Sequence, residues 1–382
     1  MRKIILTNNG HKSGKTMIKK FILYIVLGII YIFIYPFKIK KDKITFISYK
    51  TDRLEGNFKL ISNNLIRDNQ YEMVYLFMKY KNNLWGNFKY FINCIKQVYH
   101  VNTSKVVVLD YNNYVVSNFK KKDVKVIQVW HATGAIKQFG NDINREYKIR
   151  NYDYVLATSK IWKKPYSSAF NVTEEQVVPL GIPKTDNLFS EARMEKYKKY
   201  VLNKYPQIKG KKVVLFAPTF RGDPISDIKY QEVDLKYIAD QLGDEYILIY
   251  KLHPWFGDKN VGERSDLINA NSENINRLFA VTDYLITDYS AIIFDYAILN
   301  KPALFLVPDL EEYKKERGMY IDYENEMPGP ICFNENEVVN AIKSDDFDLE
   351  KIQKFRTRYF KYTDGQSTKR VCEFVEDLIK NK

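Results

Sequence analysis

Three cysteines and four histidines in 382 residues rule out two familiar designs. Cys94, Cys332 and Cys372 are odd in number and far apart, so they form neither a disulfide framework nor a CxxC metal clip. A reducing, cytoplasmic setting suits them. His11, His100, His131 and His253 are too dispersed to announce a metal centre. The only DxD, Asp346-Phe-Asp348, follows none of the strand-like runs, so no metal and no other cofactor is expected. Zinc-finger spacing and RNA-binding signatures are also missing, and lysine is scattered rather than gathered in blocks. The net charge of +14 therefore points to an anionic membrane surface or a phosphorylated substrate, not to nucleic acid.

Long hydrophobic runs are scarce as well. The exception is Phe21 to Phe37, a charge-free stretch flanked by Lys19 and Lys20 and by Lys38, Lys40, Lys41 and Lys43. It is at the lower limit for crossing a bilayer, so a short span and an in-plane anchor both fit, and a buried core helix is the competing reading. No small-residue cleavage site follows it. Residues 1–42 are read as a basic, membrane-associating segment. Gly10-His-Lys-Ser-Gly-Lys-Thr16 imitates a phosphate-binding loop but has one residue too few between its glycines.

From Lys43 onward, short β-branched runs alternate with amphipathic stretches. Ile44–Ser48, Met73–Phe77, Val106–Leu109 and Val126–Val129 form one strand-like series, with helical patterns over Phe58–Arg67 and Phe88–Val98. Lys212–Ala217, Tyr246–Tyr250, Tyr284–Thr287 and Ala303–Val307 form a second. Apolar runs of this length separated by helices read as buried parallel strands. Two series imply an α/β chain of two Rossmann-like halves facing a cleft, 43–200 and 201–382.

Ligands of such sheets sit at the carboxyl ends of the strands, so the residues after each run carry the chemistry. Trp130-His-Ala-Thr-Gly134 follows the first series, and His131 is placed to act as a general base. A structural histidine is the competing reading. Pro218, Thr219 and Arg221 follow Phe216, offering a fixed turn, a hydroxyl and a planar fork for phosphate. Lys251 and His253, two apart after Tyr250, project to one side to meet a diphosphate. Ser290 is expected to cap a helix whose start cradles phosphate, and Asp295 to reach a sugar or glycerol hydroxyl. Arg317 lies in a charged helix and can approach phosphate; a solvated surface helix is the plainer alternative.

Eight segments in this order resemble the CDP-glycerol glycerophosphotransferases of teichoic acid synthesis: QVWHATGAIKQFG, YDYVLATS, LGIPKTDNLF, FAPTFRGD, KLHP, LITDYSAIIFDYAILNKPALF, DLEEYKKERGMYIDY and DGQSTKRV. The resemblance implies a GT-B fold, a peripheral position on the cytoplasmic membrane face, and His131 with His253 as the catalytic pair. It implies donor contacts from Trp130, Ala132, Thr133, Gly134, Lys184, Pro218, Thr219, Lys251, Leu252, Ser290, Ala291 and Asp295. The family often has arginine at Lys184 and a second serine at Ala291; lysine keeps the charge but loses the fork. WHATG in place of the polymerases' usual WHGTP, on a short chain, looks more like the primase branch. The implied reaction moves glycerol phosphate from CDP-glycerol to an undecaprenyl-diphosphate-linked N-acetylmannosaminyl-N-acetylglucosamine, releasing CMP. The implied partners are these two substrates, an anionic membrane and other wall-synthesis enzymes. A second-step or polymerising glycerol- or ribitol-phosphate transferase, of teichoic acid or capsule, is the sister alternative. An inactive nucleotide-binding scaffold is the alternative of another class.

Overall fold

The structure is a computed structural model that describes residues 9–66, 70–145, 147–223, 227–257, 259–262 and 264–380. The start of the 1–42 segment, and Arg67 at the end of an expected helix, lie outside the described residues. The first sheet contains β1 (Lys40–Ser48), β2 (Glu72–Phe77), β3 (Ser104–Leu109), β4 (Lys125–Gln128), β5 (Tyr154–Leu156) and β6 (Val177–Val178). The second half opens with β7 (Lys212–Phe216) and a small antiparallel hairpin, β8 (Arg221–Asp223) with β9 (Asp227–Lys229). It continues with β10 (Tyr246–Tyr250), β11 (Leu267–Asn269), β12 (Tyr284–Thr287), β13 (Ala303–Leu306) and β14 (Ile331–Cys332).

Both main sheets are parallel, and their orders are β2-β1-β3-β4-β5-β6 and β11-β10-β7-β12-β13-β14. Helices cover both faces, so residues such as Val106–Leu109 and Ile247–Tyr250 are buried without alternation. In each sheet the chain winds outward in two directions from one internal pair: β1 and β3 in the first, β7 and β12 in the second. Ligands of doubly wound sheets enter at such switch points, where the two departing connections leave a crevice.

The halves are firmly joined. Trp162 of the first half meets Phe294 and Tyr359 of the second, with ring centroids 5.3 Å and 5.2 Å apart. The last helix, Ser367–Lys380, crosses back, and its Val371, Cys372 and Val375 pack with Ile44, Phe46 and Phe58. The helix Asn9–Ile34 absorbs the phosphate-loop imitation into helical backbone and packs through Leu27 on the first half. Among the described residues no helix is long and apolar enough to cross a membrane.

Candidate active site

Past β4 the chain makes an unusual turn. Trp130 adopts φ 55°, a left-handed conformation that costs a bulky residue about 1 kcal/mol or more. Two amides hold it there: the Gln128 side-chain oxygen accepts from the Trp130 N–H (2.9 Å), and Asn57 donates to the Trp130 carbonyl (3.1 Å). This turn sets His131 face to face with Tyr111, 4.4 Å between centroids and 7° from parallel. Its Nδ1 lies 3.4 Å from the carbonyl oxygen of Asp110. A carbonyl only accepts, so Nδ1 carries the proton and Nε2 keeps a free lone pair.

His253 is oriented the opposite way. It follows β10 and caps the turn Pro254–Phe256, with the Trp255 N–H donating to its Nδ1 at 3.4 Å. Its proton therefore sits on Nε2. Phe220 and Trp255 flank the ring, with centroids at 5.1 Å and 4.7 Å. The two imidazoles thus present complementary Nε2 atoms, one a lone pair and the other an N–H.

Contacts between the sheet ends bring these rings into one site. Thr133 hydrogen-bonds to Asp295 across the divide, and Lys184 Nζ reaches the other carboxylate oxygen at 2.8 Å. Lys137, a few residues after His131, donates to Thr219 Oγ1 (3.0 Å) and Tyr313 OH (3.2 Å) and stands 4.6 Å from the centre of the Phe220 ring. Gly134 is obligatory here, since a Cβ would come within 2.7 Å of both Phe294 and Trp162.

Burial and neighbouring cations act on both imidazoles in the same direction. Burial, then Lys50, Lys184 and His253 itself, push His131 down to about 3. Burial with Lys137, Lys50 and Lys251 pushes His253 down to about 4. Burial also pulls Lys137 down to about 7, with Arg317 and Arg221 adding repulsion that Asp288 opposes. Each imidazole senses the other's lobe, and both are neutral at physiological pH. A site whose cations repel further positive charge is matched to a polyanion, which would relieve those repulsions. Among the described residues no group of three or more His, Cys, Asp or Glu is placed to hold a metal ion.

This geometry is consistent with what the chain resembles. The sequence profile of the CDP-glycerol:poly(glycerophosphate) glycerophosphotransferases matches residues 29–377. The chain belongs to this family. It is 34% identical over 365 residues to the teichoic acid ribitol-phosphate primase of Bacillus spizizenii, covering 89% of this chain and 92% of that one. To the teichoic acid glycerol-phosphate primase of Bacillus subtilis it is 34% identical over 308 residues, covering 75% and 77%. The solved wall teichoic acid polymerase TagF has the same fold, with a TM-score of 0.72 at 22% identity over 98% of this chain and 99% of that one.

The glycerophosphotransferase structure redirects several expected contacts. Arg221 does not hold a free fork toward phosphate. Its Nη1 donates to Asp288 (2.7 Å), and Nε and Nη2 to Asp309 (2.6 and 3.2 Å), with its Cζ 4.7 and 5.0 Å from the centres of the mutually stacked Tyr289 and Tyr313 rings. Burial works against this charge, but the two carboxylates more than offset it and raise its pKa. Asp288 in turn accepts from the Thr219 N–H at 2.8 Å, so the arginine acts by fixing the Pro218–Thr219 turn. Removing it would strand a buried carboxylate. Arg221→Ala is expected to destabilise the protein by about 3–5 kcal/mol, seen as a large drop in melting temperature.

Ser290 does not cap its helix. The helix Ile292–Ala297 starts late enough that Ala291 is the cap residue, with no side-chain cap bond. Asp295 is engaged by Thr133 and Lys184, which leaves its remaining lone pairs for a hydroxyl. Lys251 turns its Nζ to the Asn271 carbonyl (2.8 Å), and the Leu252 N–H is held by the Asn271 side chain. Ala132 is half-buried beside His131. Arg317 keeps a buried Nε with no partner near Lys137. Sequence reasoning missed Lys137, although it lies in a quoted segment, and also Lys50, Asp110 and Tyr111, which surround His131.

Proposed function

We infer that this glycerophosphotransferase moves glycerol phosphate from CDP-glycerol to a hydroxyl of an undecaprenyl-diphosphate-linked N-acetylmannosaminyl-N-acetylglucosamine, releasing CMP and priming wall teichoic acid. The observation that carries the reading is the pair of opposed tautomers, a base at His131 and a donor at His253, in a cation-lined site. The halves work as a GT-B pair, with 43–200 presenting the acceptor and 201–382 holding the donor. His131 Nε2 takes the proton of the attacking hydroxyl as its oxygen bonds to the β-phosphorus. The bond from that phosphorus to the bridging oxygen breaks, and CMP departs with the electron pair. His253 Nε2–H, Lys137 and Arg317 stabilise the charge on the diphosphate, while Thr219 and Ser290 line its path. Phosphoryl transfer needs positioning and charge stabilisation more than covalent help, and this inventory supplies both.

A second reading has its own support. The identity to the ribitol-phosphate primase equals that to the glycerol-phosphate primase and extends over more of both chains. CDP-ribitol is therefore the competing donor. Labelled CDP-glycerol and CDP-ribitol, each offered with the disaccharide lipid, separate the two. The primase reading expects one unit added from CDP-glycerol; transfer from CDP-ribitol alone, or long products, would replace it.

The acceptor's lipid carrier requires a membrane surface. Phe21, Ile25, Ile29, Ile32 and Phe33 on the first helix are exposed, and so are Leu84, Trp85 and Phe88 on the helix packed beside it. Lys89 stands over the Trp85 ring, and the exposed Lys38, Lys40 and Lys41 follow the first helix in sequence. Because Leu27 is fully buried against the protein, lipid cannot surround the helix, which favours an in-plane position. Phe33→Glu together with Trp85→Glu is expected to lower co-sedimentation with anionic vesicles about 10-fold or more, with activity on a short-tailed soluble acceptor retained. Unchanged sedimentation would remove this face as the anchor.

A further inference from the structure

The donor contacts proposed above gather at the β7/β12 switch point, yet the first sheet has a switch point of its own between β1 and β3. Lys50 follows β1 and Asp110 follows β3, so both lie at this second crevice. Asp110 also touches His131, through the carbonyl that fixes the imidazole's tautomer.

The polar groups here are incompletely satisfied. Ser48 donates to Asp110 Oδ2 at 3.0 Å, while Oδ1 is buried and has no partner. Asn112, two residues on, likewise has a buried Oδ1 without a partner. Desolvation raises the Asp110 carboxyl to about 6, against the lowering effects of Ser48 and Lys50; Glu55 adds to the rise. Asp110 as a whole retains some open surface. Both orphaned atoms are acceptors, so a fitting ligand brings donors. A phosphate has none to offer, whereas sugar hydroxyls and acetamido N–H groups do.

We propose that Ser48, Lys50, Asp110 and Asn112 form the subsite for the acceptor sugar, with Asp110 accepting a hydroxyl next to the one that His131 deprotonates. This extends the transfer reading above and depends on it for the identity of the ligand. The chemistry of the subsite is hydroxyl recognition, and the glycerol of the donor is the other source of hydroxyls. The two are separated by which Michaelis constant responds.

The test uses the full-length protein with the disaccharide on a short diphospho-lipid tail. Asp110→Asn and Asn112→Ala are each expected to raise KM for this acceptor about 10-fold or more, with KM for CDP-glycerol within about twofold of wild type. Calorimetric titration of the acceptor into both variants without donor is expected to show the same loss, and needs no turnover. An acceptor KM and affinity that stay at wild-type values would overturn the subsite. So would a rise confined to the CDP-glycerol KM, or parallel rises in both constants with a lowered melting temperature. If wild-type protein binds the acceptor through Asp110 yet transfers nothing from CDP-glycerol, the transfer reading fails and the subsite stands.

Discussion

His131→Ala is expected to lower kcat by about 10²–10⁴-fold while leaving the CDP-glycerol dissociation constant nearly unchanged, because general-base catalysis typically contributes an acceleration of this size. The split follows from position. His131 belongs to the first half, held by Asp110 and Tyr111, whereas the groups proposed to grip the diphosphate lie mostly on the second. Equilibrium dialysis with labelled CDP-glycerol measures the binding, and single-turnover transfer measures the chemistry. A variant that turns over within threefold or so of wild type would remove His131 as the base.

His253→Ala is expected to lower kcat by about 10²–10³-fold, the usual loss for one preorganised donor to developing negative charge. Here a conservative change discriminates between roles. Glutamine retains an N–H donor but no titratable lone pair, so His253→Gln should recover part of the loss if the ring acts as a donor. It should recover none if the ring acts as a base. The pH dependence has a definite sign. Both imidazoles are held below their ordinary 6.5, at about 3 and about 4, by burial and neighbouring cations. A bound diphosphate opposes those cations, so both values rise on binding, and Lys137, held at about 7, takes up protons. Calorimetry of CDP-glycerol binding in buffers of different ionisation enthalpy measures that uptake, and release of protons would contradict the account.

The strand-end placement of the two histidines was legible in the sequence because each follows a strand-like apolar run closely, and a strand end in a parallel sheet is where ligands of such sheets bind. The runs became β1–β4, β7, β10, β12 and β13, as read. β5, β6, β11 and β14 are two or three residues long, too short for a periodic signal. Strand order was beyond reach. Nothing local says that β2 lies outside β1, and only that order makes β1 and β3 neighbours and places Lys50 beside Asp110. The role of Arg221 was hidden for a similar reason: Asp288 and Asp309, which claim its fork, lie 67 and 88 residues away. Ser290 shows the resolution of capping rules, since a helix starting one residue later is enough to release it from that duty.

The chain's four histidines allow a direct test, because two are proposed to face the substrate and His100 is not. His100 senses Lys43, Glu72 and Lys40, at the amino ends of β1 and β2, opposite the strand ends that lead to the proposed site. Imidazole resonances of isotope-labelled protein, titrated over pH with and without CDP-glycerol, report all of them in one experiment. The account predicts that His131 and His253 both shift on binding and that both pKa values rise, while His100 stays where it was. If CDP-glycerol moved only one of the two resonances, or neither, the idea of a shared diphosphate between them would be wrong.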